Sequence, residues 1–225
     1  MQTRAGFNRI ELAVIVALAA LLCALIWVAT VATAEKRRRT QCQVNLRQIG
    51  TALRLYANDY GGRLPDCTRE NPRFHGAVWP WDMHINLVAE LEQRGAQRKF
   101  LYCPSNPEMN DDRHWNFPLH SRGQTRVLGY AFLFPGCRDV PKELWRFNLN
   151  GDGTRKPEDV ELAADATVSQ QWDYTKIKGL WVDRSNHLRR GRPAGGNVLF
   201  EDGHASWRPF EKMKHQVVGQ AVWDF

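Results

Sequence analysis

The 225-residue sequence lacks the short motifs that mark the common catalytic sites. It has no G-x-S-x-G, no H-E-x-x-H and no phosphate-binding glycine loop, which argues against a serine hydrolase, a zinc peptidase and a nucleotide-binding enzyme. It also has no C-x-x-C pair, so we expect no structural zinc site. These absences predict that the chain is not an enzyme and favour a structural or binding role.

Acidic residues are in the minority, with 24 Asp and Glu against 31 Lys and Arg, so the formal charge is +7. No RNA- or DNA-binding signature accompanies this excess, and we expect no nucleic-acid partner. A mean hydropathy of −0.50 excludes a polytopic membrane protein. An aromatic fraction of 11% excludes a disordered chain. The composition therefore describes a folded, largely polar domain.

Charged residues are missing from one long apolar segment, residues 12–34, which also has no Gly or Pro. A helix of this length spans roughly 34 Å, enough to cross the apolar core of a bilayer. A secretory signal peptide would have a shorter apolar region, of about 7–15 residues. We predict a transmembrane helix over residues 7–34.

The residues just before this segment add a processing motif to the anchor. Gly6 and Phe7 are followed by Glu11 at the edge of the apolar run, an arrangement that resembles the N-termini of type IV pilins and type II secretion pseudopilins. The resemblance implies that residues 1–6 are a leader, that prepilin peptidase cleaves between Gly6 and Phe7, and that Phe7 is methylated. A carboxylate at a membrane edge needs a cationic partner. The Phe7 amine of a neighbouring pilin-like subunit would supply one for Glu11, and a plain membrane anchor is the alternative.

Two features of the flanks bear on docking and orientation. Arg9 stands where the family usually has an apolar residue, and it offers Glu11 a competing partner within the same chain. Counting positive charges places the side bearing residues 36–39 in the cytoplasm, whereas the pilin resemblance places it outside. We follow the resemblance and expect a single-pass inner-membrane protein with an extracytoplasmic head, whose basic run contacts lipid headgroups.

A second, amphipathic helix is predicted to continue the first through residues 35–61. Its apolar side chains recur at roughly helical spacing before the breakers Gly61 and Gly62; they are Val44, Leu46, Ile49, Leu53 and Tyr56. The stretch from Cys42 to Pro65, together with the later Cys103-Pro104, resembles pseudopilin-like proteins of planctomycete- and verrucomicrobia-type bacteria.

The C-terminal part of the head, residues 185–207, contains a third resemblance to the same proteins. Asp202-Gly203 lies between alternating apolar stretches, which is typical of a β-hairpin with a type I′ turn. With His187 before it and His204 after it, the segment resembles their His-then-Asp-Gly module. Fourteen residues separate the His from the Asp-Gly here instead of nine, the excess being a basic loop at 188–194. We expect a structural role, with a catalytic or metal-binding trio of His187, Asp202 and His204 as the less favoured interpretation.

The cysteines leave two alternatives open. Cys23 lies in the apolar run, and four others remain for a head that is expected to be exported: Cys42, Cys67, Cys103 and Cys137. An even number in an oxidising compartment predicts one or two disulfides, with three full pairings possible. Free buried thiols are the alternative.

One acidic turn resembles a twelve-residue calcium loop of the dockerin type. A glycine stands at the sixth position, where the loop turns sharply, and oxygen ligands recur at the expected spacing. The candidate ligands are Asn148, Asn150, Asp152, the Thr154 carbonyl and Asp159. A plain surface turn is the alternative, and no other cofactor is expected.

The fold class predicted from these patterns is α+β and pilin-like, with a long N-terminal helix packed on a small antiparallel sheet. We further expect a helix over 85–94, strands over 129–134, 167–174 and 179–182, and mostly loops over 66–125. The head spans residues 62–225. The predicted function is a pseudopilin-like subunit of a type II secretion or type IV pilus-like filament. Its rivals are an anchored module that binds polysaccharide or protein without polymerising, and an anchored hydrolase.

Overall fold

The structure, a computed structural model, has an α+β fold with a long apolar N-terminal helix and small antiparallel sheets, as predicted. It describes residues 8–75, 79–119, 123–137, 140–149, 155–177, 184–218 and 221–225. The chain divides into two compact units, residues 1–37 and 38–225, which are described separately.

Helix α1 (Arg9–Asp59) confirms the prediction of one continuous helix. In the first unit, all side chains of α1 up to and including Trp27 are exposed, the apolar ones among them. The segment Arg9–Trp27 has a mean hydropathy of 2.7, and its length and composition suffice to cross a membrane. Exposed apolar surface on this scale is rare in soluble monomers.

In the second unit, α1 packs one face into the core. Leu46, Ile49, Leu53 and Tyr56 are buried as their spacing predicted, but Val44 is 36% exposed. The buried face of α1 at this level consists of Asn45 and Leu46. With 3.6 residues per turn, Val44 lies on the neighbouring face, which is exposed to solvent.

Short elements follow α1. The other helices are α2 (Ile85–Gln93) and α3 (Asp112–Trp115), with 3₁₀ turns at Arg98–Phe100, Pro107–Met109, Lys142–Leu144, Pro157–Asp159 and Phe210–Lys212. The strands of the described residues are β1 (Asp82–His84), β2 (Pro118–Leu119), β3 (Gly123–Val127), β4 (Tyr130–Phe132), β5 (Glu161–Asp165), β6 (Thr167–Ser169), β7 (Leu188–Arg189), β8 (Arg192–Pro193), β9 (Gly195–Phe200), β10 (Ala205–Pro209), β11 (His215–Val218) and β12 (Ala221–Asp224).

The strands form four antiparallel sheets, with the orders β1-β3-β2, β10-β9-β5-β4, β11-β12-β6 and β7-β8. Strands β9 and β5 of the four-stranded sheet contact α1. A Cβ placed on Gly50 of α1 would stand 2.9 Å from Cδ1 of Leu199 in β9, so a larger residue would require the Leu199 side chain to move. The close contact brings the C-terminal hairpin against the helix.

The sequence-based elements agree in part with these bounds. The helix predicted over 85–94 is α2, and the strand predicted over 129–134 contains β4. The strand predicted over 167–174 ends at Ser169, because the chain turns at Gln171 and Trp172, both of which have positive φ. The strand predicted over 179–182 lies outside the described residues. The segment 66–125, predicted as loops, contains elements too short to show a period.

The predicted hairpin of residues 197–207 is confirmed as β9 and β10, but the predicted type I′ turn is wrong. The N–H of Gly203 donates to the carbonyl of Phe200 at 2.9 Å, and the N–H of Phe200 donates to the carbonyl of His204 at 2.9 Å. Positive φ occurs at Gly203 (+89°) and not at Asp202. This is the three-residue loop in which a type I turn is followed by a glycine bulge.

Candidate functional site

Four side chains with metal-ligating or nucleophilic atoms meet inside the second unit. They are Cys42, Cys103, Asp165 and His187, and one ligand atom of each lies within 4.8 Å of the others. Each of the four is at most 1% exposed. We call this group the CCDH cluster. Such a concentration of titratable groups in a core requires mutual pairing or a bound ion.

The four side chains belong to four separate segments of the chain. Cys42 lies on the buried face of α1, and Cys103 follows the 3₁₀ turn Arg98–Phe100. Asp165 is the last residue of the fully buried strand β5. His187 precedes β7 with a φ of +49°, a conformation that costs a residue with a side chain on the order of 1 kcal/mol. The surrounding contacts must therefore hold His187 in place.

The distances within the cluster are uniform. His187 Nε2 lies 3.3 Å from Cys103 Sγ and 3.3 Å from Asp165 Oδ2. Cys42 Sγ lies 3.3 Å from both carboxylate oxygens of Asp165. The hydroxyl of Tyr130 lies 3.3 Å from Cys42 Sγ. The polar atoms thus face a common point and do not form a chain.

A shell of polar groups fixes the carboxylate. Asp165 Oδ2 accepts a hydrogen bond from the backbone N–H of Asn197 at 2.7 Å, and Asp165 Oδ1 accepts one from the Asn186 side-chain amide at 2.9 Å. Ser105 Oγ lies 3.2 Å from Cys103 Sγ and accepts the backbone N–H of His187 at 2.7 Å. These bonds orient the carboxylate and tie the His187 and Cys103 segments together.

Burial and charge act on the four groups in opposite senses. Burial raises the pKa of Asp165, but the charge of His187 and the bonds from His187, Asn197 and Cys42 outweigh it and lower the pKa. Burial lowers the pKa of His187, but the negative charges of Cys103 and Asp165 raise it well above its ordinary value. The carboxylate and the imidazole therefore favour their charged forms when only the protein surrounds them.

The two thiols differ. Burial raises the pKa of Cys42 well above its ordinary value. Burial also raises the pKa of Cys103, but its bond with Cys42 and the nearby His187 lower it overall. Cys103 is therefore the more readily ionised sulfur, and an ionised sulfur is the form that binds metals and reacts as a nucleophile.

Trp207 of β10 covers the outer side of the cluster. Its ring meets the His187 ring edge-on, with centroids 5.1 Å apart. The Arg39 guanidinium lies 3.9 Å from the centroid of the same indole, a cation–π contact. The basic run after the apolar segment thus contributes at least one residue to the head itself.

This arrangement does not suit a nucleophilic enzyme. In a catalytic triad the imidazole contacts the nucleophile through one nitrogen and the acid through the other. Here Cys103 and Asp165 both meet Nε2 of His187, and the group is closed to solvent. Convergence of two thiols, an imidazole and a carboxylate on one point is instead the donor set of a tetrahedral metal site.

The structure separates the residues of the C-terminal module into two places. His187 is in the CCDH cluster, whereas Asp202 and His204 lie in the partly exposed β9–β10 turn. There Asp202 Oδ1 accepts the His204 backbone N–H at 2.9 Å and lies 2.6 Å from His204 Nδ1. The structure therefore places His187 in a different cluster from Asp202 and His204. Asp165, the true partner of His187, was missed from sequence; its only signal is an acid at the end of an apolar strand.

The four head cysteines are free in the structure. They lie as two neighbouring pairs. Cys42 contacts Cys103 in the cluster. Burial and the nearby Cys137 raise the pKa of Cys67, which shows that these two thiols are also neighbours. Disulfides among them stay a prediction, and the geometry favours one of the three full pairings, Cys42–Cys103 with Cys67–Cys137. The sequence has no C-x-x-C pair, but the fold gathers two thiols, an imidazole and a carboxylate from distant segments.

The predicted processing and docking residues lie at the start of α1. Gly6 and Phe7 fall outside the described residues. Glu11 occupies the first turn and accepts the backbone N–H of Asn8 at 3.1 Å, while Asn8 Oδ1 accepts the N–H of Ile10 at 3.4 Å. This reciprocal pattern is a capping box, so Glu11 has a local role in starting the helix.

The predicted calcium loop is described only at its ends. Asn148 and Asp159 are exposed, and Asn148 pairs with Arg63 in an isolated β-bridge. Asn150, Asp152 and Thr154 lie outside the described residues. Calcium binding stays a prediction.

Comparison with known families gives one partial match. Residues 33–119 match the family model described as "Protein of unknown function (DUF1559)", a family of the planctomycete type II secretion pseudopilin-like kind. The match includes Cys42 and Cys103, while Asp165 and His187 lie beyond it. No curated protein and no solved structure matches the chain.

Proposed function

We propose that this protein is a pseudopilin-like structural subunit, anchored in the inner membrane by the first part of α1 and assembled into a type II secretion or type IV pilus-like filament. The observation that carries the proposal is the exposed apolar helix Arg9–Trp27 at the start of α1. An apolar surface of this length needs lipid or other helices around it. A pilin-like subunit meets both surroundings in turn, first in the membrane and then among other copies or homologous subunits.

The position of Glu11 supports a docking role as well as a capping role. Its carboxylate lies at the positive end of the helix dipole, where a negative charge is stabilised. Cleavage after Gly6 would add the charged amine of Phe7 directly before the cap residue Asn8. A carboxylate and an amine at one helix end, repeated in each subunit, provide the opposite charges that neighbouring subunits need for pairing.

The head supports a structural role more than a binding role. Most tryptophans that the structure describes in the head are buried or half-buried, such as Trp81 and Trp223 in the core. Trp172, at 68% exposure, is the exception. A polysaccharide-binding face would present several aromatic rings together, and the described surface gives only this one strongly exposed tryptophan.

Mass spectrometry of the mature N-terminus tests processing. We expect a chain that begins with a methylated Phe7, and a Gly6→Val variant that keeps Met1 because the peptidase no longer reaches the bond. An intact Met1 in the natural chain contradicts the proposal. An alkaline phosphatase fusion at the C-terminus tests orientation, and an inactive fusion contradicts an extracytoplasmic head.

A matched pair of variants separates docking from capping. Glu11→Gln keeps a capping side chain but removes the charge, whereas Glu11→Ala removes both. If charge pairing drives assembly, both variants lose co-purification of tagged with untagged copies, while the helix content of Glu11→Gln stays unchanged. Normal co-purification of Glu11→Gln contradicts the docking role.

A further inference from the structure

We propose that Cys42, Cys103, Asp165 and His187 form a structural site for one zinc-type divalent cation, which fastens α1 to the sheet of the head. The inference is independent of the filament function, because it concerns only the interior of the second unit. It assigns one cause to four buried groups that no catalytic or surface role explains.

The spacing of the donor atoms suits a single ion. Bonds of about 2.3 Å to sulfur and about 2.0–2.2 Å to nitrogen or oxygen place neighbouring ligands of a tetrahedron roughly 3.3–3.8 Å apart. The Cys103–His187, His187–Asp165 and Cys42–Asp165 contacts are each 3.3 Å. Small shifts of side chains would accommodate the ion, without a change in the backbone.

The chemistry of the donors selects the class of metal. Two cysteine sulfurs and an imidazole favour zinc and related thiophilic ions, whereas calcium and magnesium prefer sites made of oxygen alone. Ionised Cys42 and Cys103, Asp165 and neutral His187 carry three negative charges, of which a divalent cation balances two. The N–H groups from Asn186 and Asn197 that already point at the carboxylate would stabilise the remaining charge.

The closure of the cluster indicates a structural ion. Structural zinc sites use four protein ligands, whereas catalytic ones keep a position open for water or substrate. Here four protein ligands are present, the ligand side chains are buried, and Trp207 lies over His187. The four segments are widely separated along the chain, so one ion would restrain several long loops at once.

A disulfide between Cys42 and Cys103 is the competing outcome, because the two sulfurs are neighbours. It would explain two of the four residues and leave Asp165 and His187 as a buried pair without a reason for converging on the same sulfurs. The metal site explains all four. The two outcomes are chemically exclusive, since a disulfide has no thiolate to offer a metal.

Elemental analysis of the full chain, purified in detergent without added chelator, tests the site. We expect about one zinc per chain, and mass spectrometry of the denatured, unreduced protein should show Cys42 and Cys103 without a disulfide. Reconstitution of the chelated protein with cobalt(II) should give the intense sulfur-to-cobalt absorption of a thiolate site. Failure to bind zinc in the purified chain and cobalt on reconstitution, or a Cys42–Cys103 disulfide in the denatured, unreduced protein, overturns the proposal.

Variants distinguish coordination from folding. Cys103→Ser and His187→Gln should each lower the zinc content at least tenfold, whereas Cys67→Ser, which changes an equally buried thiol outside the cluster, should leave it unchanged. His187→Cys replaces one ligand type by another and should restore zinc that His187→Gln loses. Zinc retained by His187→Gln, or lost equally by Cys67→Ser, would overturn the assignment.

Discussion

Two histidine–carboxylate pairs in the C-terminal part of the chain consist of the same residue types, but one pair is buried and the other is partly exposed. His187 and Asp165 are buried side chains with 0% exposure, 3.3 Å apart in the CCDH cluster. His204 and Asp202 are 42% and 36% exposed, 2.6 Å apart in a hairpin turn. The shorter contact is the weaker constraint on the fold, because water solvates both of its partners.

The comparison shows that burial, more than distance, decides what an ionisable pair does. A surface pair that loses one member exposes the other to water, at little cost. A buried pair that loses one member leaves a charge in the core with nothing to balance it. A third carboxylate, Glu161 of β5, lies between these extremes, since it is itself buried but its cationic partners reach solvent.

The largest expected effect is at the buried pair. Asp165→Asn keeps the shape of the side chain but removes the negative charge beside His187, and it turns one acceptor into a donor that faces the Asn186 or Asn197 N–H groups. We expect the free energy of unfolding to fall by about 3–4 kcal/mol. Urea unfolding of the full chain in detergent with a chelator present, so that no metal ion contributes, measures it by tryptophan fluorescence. A loss below about 1 kcal/mol would show that burial does not set the strength of this pair.

Elements with a local sequence pattern could be predicted from the sequence, whereas the buried cluster, which depends on long-range packing, could not. Helix α1 was predicted to within two residues at each end, because its apolar repeat and the Gly61-Gly62 stop are local signals. The β9–β10 hairpin was also found from local alternation. The turn type was wrong because an Asp-Gly pair fits both a two-residue turn and a three-residue loop with a glycine bulge.

The CCDH cluster could not be predicted, although three of its residues were noticed. Cys42 and Cys103 stood out only as cysteines, and His187 only through its resemblance to a module. Their meeting depends on the packing of α1 against β5 and β9, which no local pattern encodes. Asp165 gives a weak signal by itself, since acids at strand ends are common in turns.

Glu161 offers the intermediate case. Arg208 Nη2 and Lys214 Nζ lie 2.7 Å and 2.6 Å from its Oε1. Glu161→Gln should lower the free energy of unfolding by about 2 kcal/mol, because the charge-assisted bonds are lost while Lys214 can turn to water. Urea unfolding of Glu161→Gln and Asp165→Asn under the same conditions ranks the two losses of stability. A loss in Glu161→Gln that equals or exceeds the loss in Asp165→Asn would contradict the ranking.

The same residue predicts a pH dependence. Burial raises the pKa of Glu161, but its bonds with Lys214 and Arg208 outweigh burial and hold the pKa below its ordinary value of 4.5. Its contribution to stability is therefore complete above pH 4.5 and is lost as the pH falls through the folded-state pKa. In Glu161→Gln this part of the acid-induced loss of stability should disappear, and identical acid profiles for the two proteins would contradict the assignment.

The contact between the turn and α1 gives a smaller effect. Gly203 has a φ of +89°, and a Cβ there would stand 2.7 Å from Nη2 of Arg54. Gly62 has a φ of +86° with no atom within 4 Å of the same Cβ position, so it is a matched control for backbone strain alone. We expect Gly62→Ala to cost about 1 kcal/mol, and Gly203→Ala slightly more because the flexible Arg54 side chain must move. Equal losses of stability for Gly62→Ala and Gly203→Ala in thermal unfolding would show that contact with Arg54 adds nothing to the cost at Gly203.

The smallest effect is expected at the surface pair, and it completes the comparison. Asp202→Asn is the same chemical change as Asp165→Asn, but the Asn side-chain oxygen can still accept the backbone N–H of His204, and both partners reach water. We expect a loss of no more than about 0.5 kcal/mol in urea unfolding. A loss similar to that of Asp165→Asn would mean that the turn, through Arg54 and α1, is as important to the fold as the buried cluster. The difference between these two variants therefore measures how much of the effect of a histidine–carboxylate pair comes from burial.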